Sequence, residues 1–510
     1  MFDLLIRNGT VIDGSGTPGV VADVGVVGGR VTAVGRVGDA GAKVTLAATG
    51  KVVCPGFIDA HVHGDLPLLV DPYHEPAVRQ GVTTYLVGQD GVAFAPAGPA
   101  TMRHMRRYTA GFNGNFATPG KEWATVAEYL SLFDRRCAIN VATLVPNGNV
   151  RMEAMGLADR PPTAAELAHM RRLVREGMEQ GAVGLSSGLD YIPSLYADEA
   201  ELTALCQEIA PFGGVYVTHM RGYNPAKAPA ALAEVFAIGS GAGCGVHVSH
   251  FNCLAEQTIP LLEGQDVTFD LYPYLYGSTT LAMLTLPPEL NAGGVDATLE
   301  RLRTPAVRHE LEAAFANPRF PIETIRLANL PCDEFRHLEG RGLVEAAEGR
   351  PLVKFVCDLL LATDLAAGCV IRHFAERQES DIVALTRHPA ITAGSDGIFC
   401  GGFPHPRGTG TFAKYVGEFV RGGVWPLETA VAHLSHRTAR RFGLRDRGLL
   451  KEGYAADVVV FDPAAVADRS TYADGKALAV GVEHVAVNGE LVLHHGKRTV
   501  ALPGRGLRRL

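Results

Sequence analysis

Eight short apolar runs, separated by segments with helical periodicity, constrain the fold of this chain more than any other feature of its sequence. Several of the runs are almost continuously hydrophobic, which is typical of parallel strands buried on both faces. The segment 163–166, Thr-Ala-Ala-Glu, is a capping box before one of the helices. Strands alternating with helices in this number predict an α/β fold, a (β/α)8 TIM-like barrel. The predicted strands are residues 57–63, 83–88, 138–146, 182–187, 215–219, 245–250, 267–272 and 391–396.

The two ends of the chain have a different pattern. Short β-rich runs broken by glycine turns occupy both ends, and Asn488-Gly489 marks a hairpin turn in the second of them. We therefore expect one small β-sandwich built from residues 1–55 and 447–510, and a barrel over residues 56–446. Residues 283–345 interrupt the alternation before the eighth strand, and an insertion of this size at the catalytic end of a barrel predicts a lid.

Five of the predicted strands end in, or lead to, a side chain that can bind a metal ion. They are His61 and His63 on the first strand, Asp90 after the second, His219 on the fifth, His250 on the sixth and Asp396 on the eighth. The C-terminal ends of barrel strands converge on one face, so four imidazoles and two carboxylates would meet there. This set suits one or two divalent ions and a water molecule to be activated. Asp396 can also accept a proton from that water, which makes it the candidate catalytic acid/base.

His61 and His63 are the most specific pair in this set. They are two positions apart on a strand, so both rings leave the same face and can bind one ion together. His247 is three residues before His250, and strand alternation points it into the opposite layer. We expect His247 to be a packed or hydrogen-bonded histidine.

Composition and charge favour a small-molecule enzyme. The formal net charge of −7 at pH 7 over 510 residues gives no indication of binding to nucleic acid or membranes. The first residues lack the basic and apolar regions of a signal peptide, and the nine cysteines form no CxxC pair. We expect a cytoplasmic protein without a nucleic-acid or membrane partner, and the sequence leaves a homo-oligomer open.

With these residues in place, the sequence resembles the amidohydrolase superfamily, and within it the N-acyl-D-amino-acid deacylase (D-aminoacylase) branch. The similarity runs over nearly the whole chain and implies a barrel, a small β-sandwich and an inserted lid. The superfamily motifs are Pro-Gly-Phe-Ile-Asp-Ala-His-Val-His at 55–63 and Gly-Ser-Asp-Gly at 394–397. The branch motifs are Gly-Leu-Ser-Ser-Gly-Leu-Asp-Tyr at 184–191, Thr-His-Met-Arg-Gly at 218–222, Tyr-Pro-Tyr at 272–274 and His-Pro-Arg at 405–407.

The resemblance implies a role for each candidate residue. His61, His63 and Asp396 match the family's first metal position, His219 and His250 match the second, and Asp396 matches the catalytic acid/base. The positions that match substrate contacts in the family are Tyr191, Tyr272, Ser278 and Arg407. Arg407 would hold the α-carboxylate, and its planar fork of donors suits bidentate recognition of that group. The expected substrate is therefore a small molecule that carries a carboxylate.

Two positions depart from the family pattern. The family has a metal-binding cysteine after the second strand, where this chain has Asp90. Zinc is the expected ion, but its identity stays open because a carboxylate is a harder ligand than a thiolate. After His250 the family continues with a substrate-binding lysine, and either Phe251 or Asn252 replaces it here, depending on the alignment.

The expected activity is metal-dependent hydrolysis of a linear amide, most closely that of an N-acyl-D-amino acid. One alternative is a cyclic-amide hydrolase of the dihydroorotase or hydantoinase type, although the fourth strand ends in Ser186-Ser187 and lacks the lysine that bridges the metals in those relatives. The other alternative is a non-catalytic barrel that binds a ligand, which metal content would distinguish from both enzymes.

Overall fold

The structure, a computed structural model, describes residues 1–118 and 120–509 and has an α/β fold. Parallel strands form its centre in two groups, one of six strands and one of three. Nearly every residue of these strands is buried, which explains their continuous apolar sequences. The strands are Phe57–Asp59, Val82–Val87, Asn140–Thr143, Val145–Pro146, Gly184–Gly188, Val215–His219, Gly245–Val248, Val267–Leu271 and Ile391–Ala393.

The two groups of central strands meet at both of their ends. At one junction a single segment of chain supplies Asn140–Thr143 to one group and Val145–Pro146 to the other. At the other junction the Asp396 amide donates to the His61 carbonyl at 2.7 Å. The first and last central strands are therefore neighbours, and the residues that follow them lie side by side.

Helices occupy the connections between the central strands. The predicted capping box is present, since the Thr163 hydroxyl accepts from the Glu166 amide at 3.3 Å and the Glu166 carboxylate accepts from the Thr163 amide at 2.7 Å. No helix among the described residues has both the length and the apolar character that a membrane span requires. The helices of eight residues or more are Pro99–Tyr108, Asn147–Met155, Ala164–Glu179, Glu199–Ile209, Ala228–Ala242, Ala255–Leu262, Val295–Arg303, Pro305–Ala316, Leu352–Ala362, Glu379–Thr386 and Arg407–Lys414.

Strands from both ends of the chain share one nine-stranded sheet. Val52–Pro55 pairs in parallel with Phe2–Val11 and antiparallel with Val458–Phe461, which joins the two ends. Leu4, Val24 and other residues of both ends form a separate hydrophobic cluster. The remaining strands of this sheet are Val20–Val27, Arg30–Gly35, Ala42–Ala47, Val482–Val487, Glu490–His494 and Lys497–Arg498.

A third unit lies between the last two central strands, Val267–Leu271 and Ile391–Ala393. Its antiparallel sheet consists of Gly277–Thr280, Gly368–Ile371 and Arg326–Asn329, in that order. Its own hydrophobic cluster extends from Leu281 to Ile371, so it reaches beyond the residues 283–345 that break the sequence pattern. We call residues 277–371 the inserted unit.

Candidate metal centre and active site

The predicted metal-binding side chains lie together beyond the C-terminal ends of the central strands. His61, His63 and Asp90 form one group, and Asp90, His219 and His250 form another; the ligand atoms within each group lie within 4.8 Å of one another. Asp90 belongs to both groups. Its Oδ1 is 3.7 Å from His61 Nε2 and 3.9 Å from His250 Nε2. This carboxylate is therefore placed to contact two adjacent ions.

Asp396 completes the first group. Its Oδ1 lies 3.6 Å from His61 Nε2 and 3.3 Å from His63 Nε2. Its Oδ2 lies 2.7 Å from Arg407 Nη1. One oxygen of this carboxylate thus faces the two histidines, and the other oxygen faces the guanidinium of Arg407.

The donor atoms fit a divalent metal ion. Among the residues that the structure describes, His61 Nε2, Asp90 Oδ1 and His219 Nδ1 are buried and have no hydrogen-bond partner. Buried polar atoms in folded proteins are normally paired. Imidazole nitrogens and carboxylate oxygens that converge without partners are the ligand set that zinc and similar ions use.

Three of the candidate metal ligands have an uncommon backbone conformation. Asp90, His250 and Asp396 have positive φ angles of 57°, 33° and 47°. Such conformations are uncommon for residues other than glycine, and they recur at functional sites that the surrounding structure holds in place. Positive φ also ends a strand. This explains why the strands Gly245–Val248 and Ile391–Ala393 stop before their predicted ends at residues 250 and 396.

The charge states of three candidate ligands, Asp396, Asp90 and His250, are those that a metal ion needs. Burial opposes ionisation of Asp396, but Arg407 and His63 outweigh it and lower the pKa of that carboxyl to about 2. Burial also opposes the charge of Asp90, and the neighbouring His61 nevertheless holds its pKa well below the usual range. For His250, burial and then His219 lower the pKa to about 4. Ionised carboxylates and a neutral imidazole are the forms that bind metal.

Asp270 contacts His61, His247 and His250, and sequence reasoning did not identify it. Its Oδ2 is 3.4 Å from His61 Nδ1 and 3.0 Å from His247 Nε2, and its Oδ1 accepts from the His250 amide at 2.8 Å. A carboxylate behind a metal-binding imidazole fixes the orientation of the ring. The available signal was an acidic residue inside an otherwise apolar strand. His247 is fully buried and hydrogen-bonded, as strand alternation predicts.

Glycine at position 394 allows this close packing. A Cβ at Gly394 would lie 2.6 Å from Asp270 Oδ1 and 2.7 Å from the Cβ of His61. Asp59 ties the same region together, because it accepts from the Ser395 amide at 2.8 Å and from the His61 amide at 3.2 Å. Burial raises the pKa of Asp59 to about 7. The first and last central strands are thus locked together directly beneath the candidate ligands.

Arg407 lies inside the cavity rather than on the surface. It is 1% exposed, and its Nη2 donates to the Ser278 carbonyl at 3.1 Å. Its guanidinium carbon is 4.6 Å from the centre of the Tyr272 ring, a cation–π contact. Three of the predicted substrate-contact residues therefore form one cluster next to Asp396.

Tyr191, the fourth predicted substrate residue, lines the same cavity. The Tyr191 ring packs edge-on against His219, with 5.1 Å between ring centres. Ser278 also lines the cavity, and its hydroxyl donates to the Cys369 carbonyl at 3.0 Å.

Of the two residues that could replace the family's lysine, only Asn252 faces the cavity. Phe251 is fully buried and packs on Phe269, with 4.9 Å between ring centres. Asn252 lines the cavity, and its Nδ2 donates to the Tyr272 hydroxyl at 2.7 Å. A neutral amide that is hydrogen-bonded to Tyr272 therefore faces the cavity at this point.

Two more residues at the site were missed by sequence reasoning. Tyr223 contacts the rings of His219 and His250 at 5.3 and 5.0 Å between ring centres. Asp190 Oδ2 is 3.9 Å from His219 Nε2 and 2.6 Å from Nη2 of Arg319 in the inserted unit. Their roles depend on how loops from different strands meet, which local sequence patterns do not encode.

This geometry defines a metal-dependent hydrolase, and comparison with known proteins gives the family. The amidohydrolase family model matches residues 44–323 and 352–493. The chain belongs to the amidohydrolase family. It is 35% identical to a D-aminoacylase from Alcaligenes xylosoxydans xylosoxydans, over 100% of this chain and 98% of that protein. The predicted resemblance to the D-aminoacylase branch, and the predicted class of carbon–nitrogen hydrolase, are confirmed.

Two solved structures resemble the whole chain. One is a D-aminoacylase described by its binuclear metal centre, with one-metal activation and second-metal attenuation; it is 33% identical, covers 100% of both chains and has a TM-score of 0.82. The other is an N-acyl-D-glutamate deacylase from Bordetella bronchiseptica in complex with zinc and a phosphonate inhibitor that mimics the tetrahedral intermediate. It is 34% identical, covers 99% of both chains and has a TM-score of 0.83.

Proposed function

We propose that this amidohydrolase cleaves the amide bond of N-acyl-D-amino acids and releases the free amino acid. The observation that carries the proposal is the position of Arg407, a buried guanidinium 2.7 Å from Asp396 in the cavity that the candidate metal ligands face. A cation beside the reacting centre suits a substrate whose carboxylate is close to its scissile amide. The full-length similarity to D-aminoacylase supports the same substrate class.

We propose one or two divalent ions at the site, with zinc as the first candidate. His61, His63 and Asp396 would hold one ion, and His219 and His250 the other, with Asp90 between them. A zinc ion bound there would lower the pKa of a bound water to about 7 and polarise the scissile carbonyl. The zinc in the solved deacylase complex supports this choice of metal.

Asp396 is the proposed acid/base. Its pKa of about 2 keeps it ionised at neutral pH, so it can accept a proton from the attacking water. The leaving amine would receive the proton from the same carboxyl. The contact with Arg407 keeps one oxygen of Asp396 fixed while the other faces the histidines.

We propose that Arg407 and Tyr272 bind the α-carboxylate, and that Tyr191 and Ser278 contact the substrate nearby. Asn252 would orient the Tyr272 hydroxyl through its 2.7 Å hydrogen bond. The rest of the cavity wall is mixed. Its apolar residues are Phe112, Met283, Leu284, Phe320, Phe374 and Ile398, and its polar or charged residues include Asp190, Asn224, Lys227, Thr279, Arg319 and His373. The apolar part suits an apolar portion of the substrate, such as its acyl chain.

The proposed architecture is a (β/α)8 barrel over residues 56–446, a β-sandwich from residues 1–55 and 447–510, and a lid. The junctions of the central strands support the closed barrel, and the mixed origin of the nine-stranded sheet supports the sandwich. Phe320 and Arg319 of the inserted unit line the cavity, which supports a lid within residues 283–345. We keep the cytoplasm as the expected compartment, to be tested by cell fractionation.

A cyclic-amide hydrolase is the less favoured alternative. Ser186 and Ser187 occupy the place of the bridging lysine, and both side chains are buried and hydrogen-bonded. The Ser186 hydroxyl donates to the Gly88 carbonyl at 2.5 Å, and the Ser187 hydroxyl pairs with Thr218 at 2.7 Å. A scaffold that only binds a ligand would not need the strained backbone at Asp90 and Asp396.

The test compares the zinc-loaded protein on N-acetyl-D-amino acids, their L enantiomers and dihydropyrimidine rings. We expect hydrolysis of the D substrates, and a loss in kcat/KM of about 10²- to 10⁴-fold in Asp396→Asn with unchanged circular dichroism. The matched control is Asp266→Asn, an Asp with a 77% exposed side chain that pairs with Arg441. Ring opening without linear amide hydrolysis, or near-normal turnover by Asp396→Asn, would overturn the proposal.

A further inference from the structure

His373 is a cavity residue that has no role in the mechanism described so far. It lies two residues beyond Gly368–Ile371, the middle strand of the inserted unit's sheet. Its side chain is partly exposed and lines the cavity that the candidate metal ligands face. Within the described ranges its ring lies beside the Phe320 and Phe374 rings, each 5.8 Å away between centres, and neither ring nitrogen is hydrogen-bonded. The ring therefore offers free polar atoms to a ligand in the cavity.

The His373 ring lies next to the residue that holds Arg407. A Cβ at Gly277 would lie 2.4 Å from Cε1 of His373 and 3.1 Å from each ring nitrogen, so the ring can take this position because residue 277 is glycine. The following residue, Ser278, accepts a hydrogen bond from Arg407 Nη2 through its carbonyl at 3.1 Å. The imidazole and the guanidinium thus contact consecutive residues of one strand.

The charges around the ring favour an anionic ligand. Burial, followed by Arg407, lowers the pKa of His373 to about 3, so the ring is neutral at pH 7 and has one N–H to donate. Arg377 adds to this effect. Its guanidinium is buried, donates to the Tyr274 carbonyl at 3.2 Å and pairs with no carboxylate among the described residues. A neutral donor beside two guanidiniums is suited to bind a carboxylate.

We propose that His373 donates a hydrogen bond to the α-carboxylate of the bound substrate and so helps to select N-acyl amino acids over N-acyl amines. This role rests on the proposed function, in which Arg407 binds the same carboxylate. The guanidinium supplies the charge, and the imidazole supplies a second donor whose position depends on the inserted unit. His373 is therefore a specificity-determining residue, with no part in the proton transfers of the reaction.

The test measures the binding of two non-hydrolysable ligands to the zinc-loaded protein by isothermal titration calorimetry. One ligand is the N-methylphosphonyl derivative of D-alanine, and the other is that of ethylamine, which lacks only the carboxylate. His373→Leu removes the polar atoms of the ring at similar volume. We expect it to weaken binding of the D-alanine ligand by about 10- to 100-fold, as for a lost hydrogen bond to a charged group. Binding of the ethylamine ligand should change by less than about twofold.

Conservative variants separate hydrogen bonding from packing. His373→Asn and His373→Gln place an amide nitrogen near the positions of Nδ1 and Nε2, so one of them should retain most of the preference for the D-alanine ligand. The matched control is His309→Leu, at a histidine with an 85% exposed side chain on Pro305–Ala316, which should bind both ligands like the wild type. In hydrolysis of N-acetyl-D-alanine, His373→Leu should raise KM by a similar factor and leave kcat within about threefold.

Three binding results would overturn this role of His373. They are equal affinity of the wild type for the two ligands, a preference for the D-alanine ligand that His373→Leu retains, and an equal loss of both ligands in that variant. Failure of the proposed function gives a different result, since the wild type would then not hydrolyse N-acetyl-D-alanine. The binding data would still decide whether His373 recognises a carboxylate.

Discussion

Asp90 is the residue at which the resemblance implies the clearest departure from the family, a carboxylate in place of a cysteine thiolate, and it lies between the two proposed ions. Oxygen is a harder ligand than sulfur, so it binds zinc less selectively. Asp90→Cys should therefore retain zinc more strongly against a chelator, by about tenfold or more. Asp90→Ala should lose at least one equivalent. Elemental analysis of zinc after timed exposure to the chelator measures both effects.

The wild type provides the reference, and Asp190→Ala provides a control that removes a nearby carboxylate outside the two ligand groups. Unchanged metal content in Asp90→Ala would contradict the position of Asp90 between the ions.

Individual site residues differ in how far the sequence reveals them. The residues from His61 to Asp396 that end strands are visible because a polar side chain interrupts an apolar run at a place where barrel strands converge. Asp270 and Tyr223 are not visible in this way. Their importance comes from contacts between residues that are distant in sequence, Asp270 with His61 and Tyr223 with His250. Local patterns carry no information about such contacts.

At the scale of elements, the central strands and most helices follow from periodicity, whereas their ends do not. The first central strand ends at Asp59 and the last at Ala393, each several residues before the predicted end. The helical segment that begins at Leu427 contains a π-helical turn, His433–Arg437, where the His433 ring donates to the Ile391 carbonyl at 2.7 Å. Tertiary contacts and backbone strain at the site set the strand ends and the π-helical turn. Local secondary-structure propensity carries no information about either.

One ion pair between the inserted unit and the rim of the cavity offers a clear test of the lid. Arg319 Nη2 lies 2.6 Å from Asp190 Oδ2, and the Arg319 side chain is 34% exposed. Because exposed pairs contribute up to about 1 kcal/mol, Arg319→Ala should raise KM by up to about fivefold. Limited proteolysis within residues 283–345 should also become faster.

Arg336→Ala is the matched control for this prediction, since Arg336 pairs with Asp333 on the exposed face of the same unit. An Arg319→Ala enzyme with the KM and proteolysis rate of the control would show that this contact does not hold a lid.

At the scale of the whole molecule, Asp457 joins the nine-stranded sheet to the central strands. Its carboxylate forms a buried ion pair with Arg447 and accepts from Asn140 Nδ2 at 3.1 Å and from the Asn488 amide at 2.7 Å. Asp457→Ala would leave the Arg447 charge buried without its partner. We expect the free energy of unfolding to fall by about 3–5 kcal/mol, measured by urea denaturation.

Asp446→Ala serves as the control for Asp457→Ala. Asp446 pairs with Arg30 at 3.1 Å, but both side chains are about half exposed (46% and 54%), so we expect a loss of at most about 1 kcal/mol. Equal losses in the two variants would contradict the special role of Asp457.

The contact between Arg407 and Asp396 makes the proposed substrate and the proposed metal thermodynamically linked. Arg407 Nη1 lies 2.7 Å from Asp396 Oδ2 and neutralises its charge. A ligand carboxylate that binds the guanidinium therefore leaves more negative charge on Asp396, and this charge attracts the ion. Each ligand should then strengthen the binding of the other by the same factor. Zinc dissociation into a chelator should accordingly be slower with a saturating non-hydrolysable D-amino-acid analogue, and Arg407→Met should abolish the difference. An equal dissociation rate with and without the analogue would show that the two sites are independent.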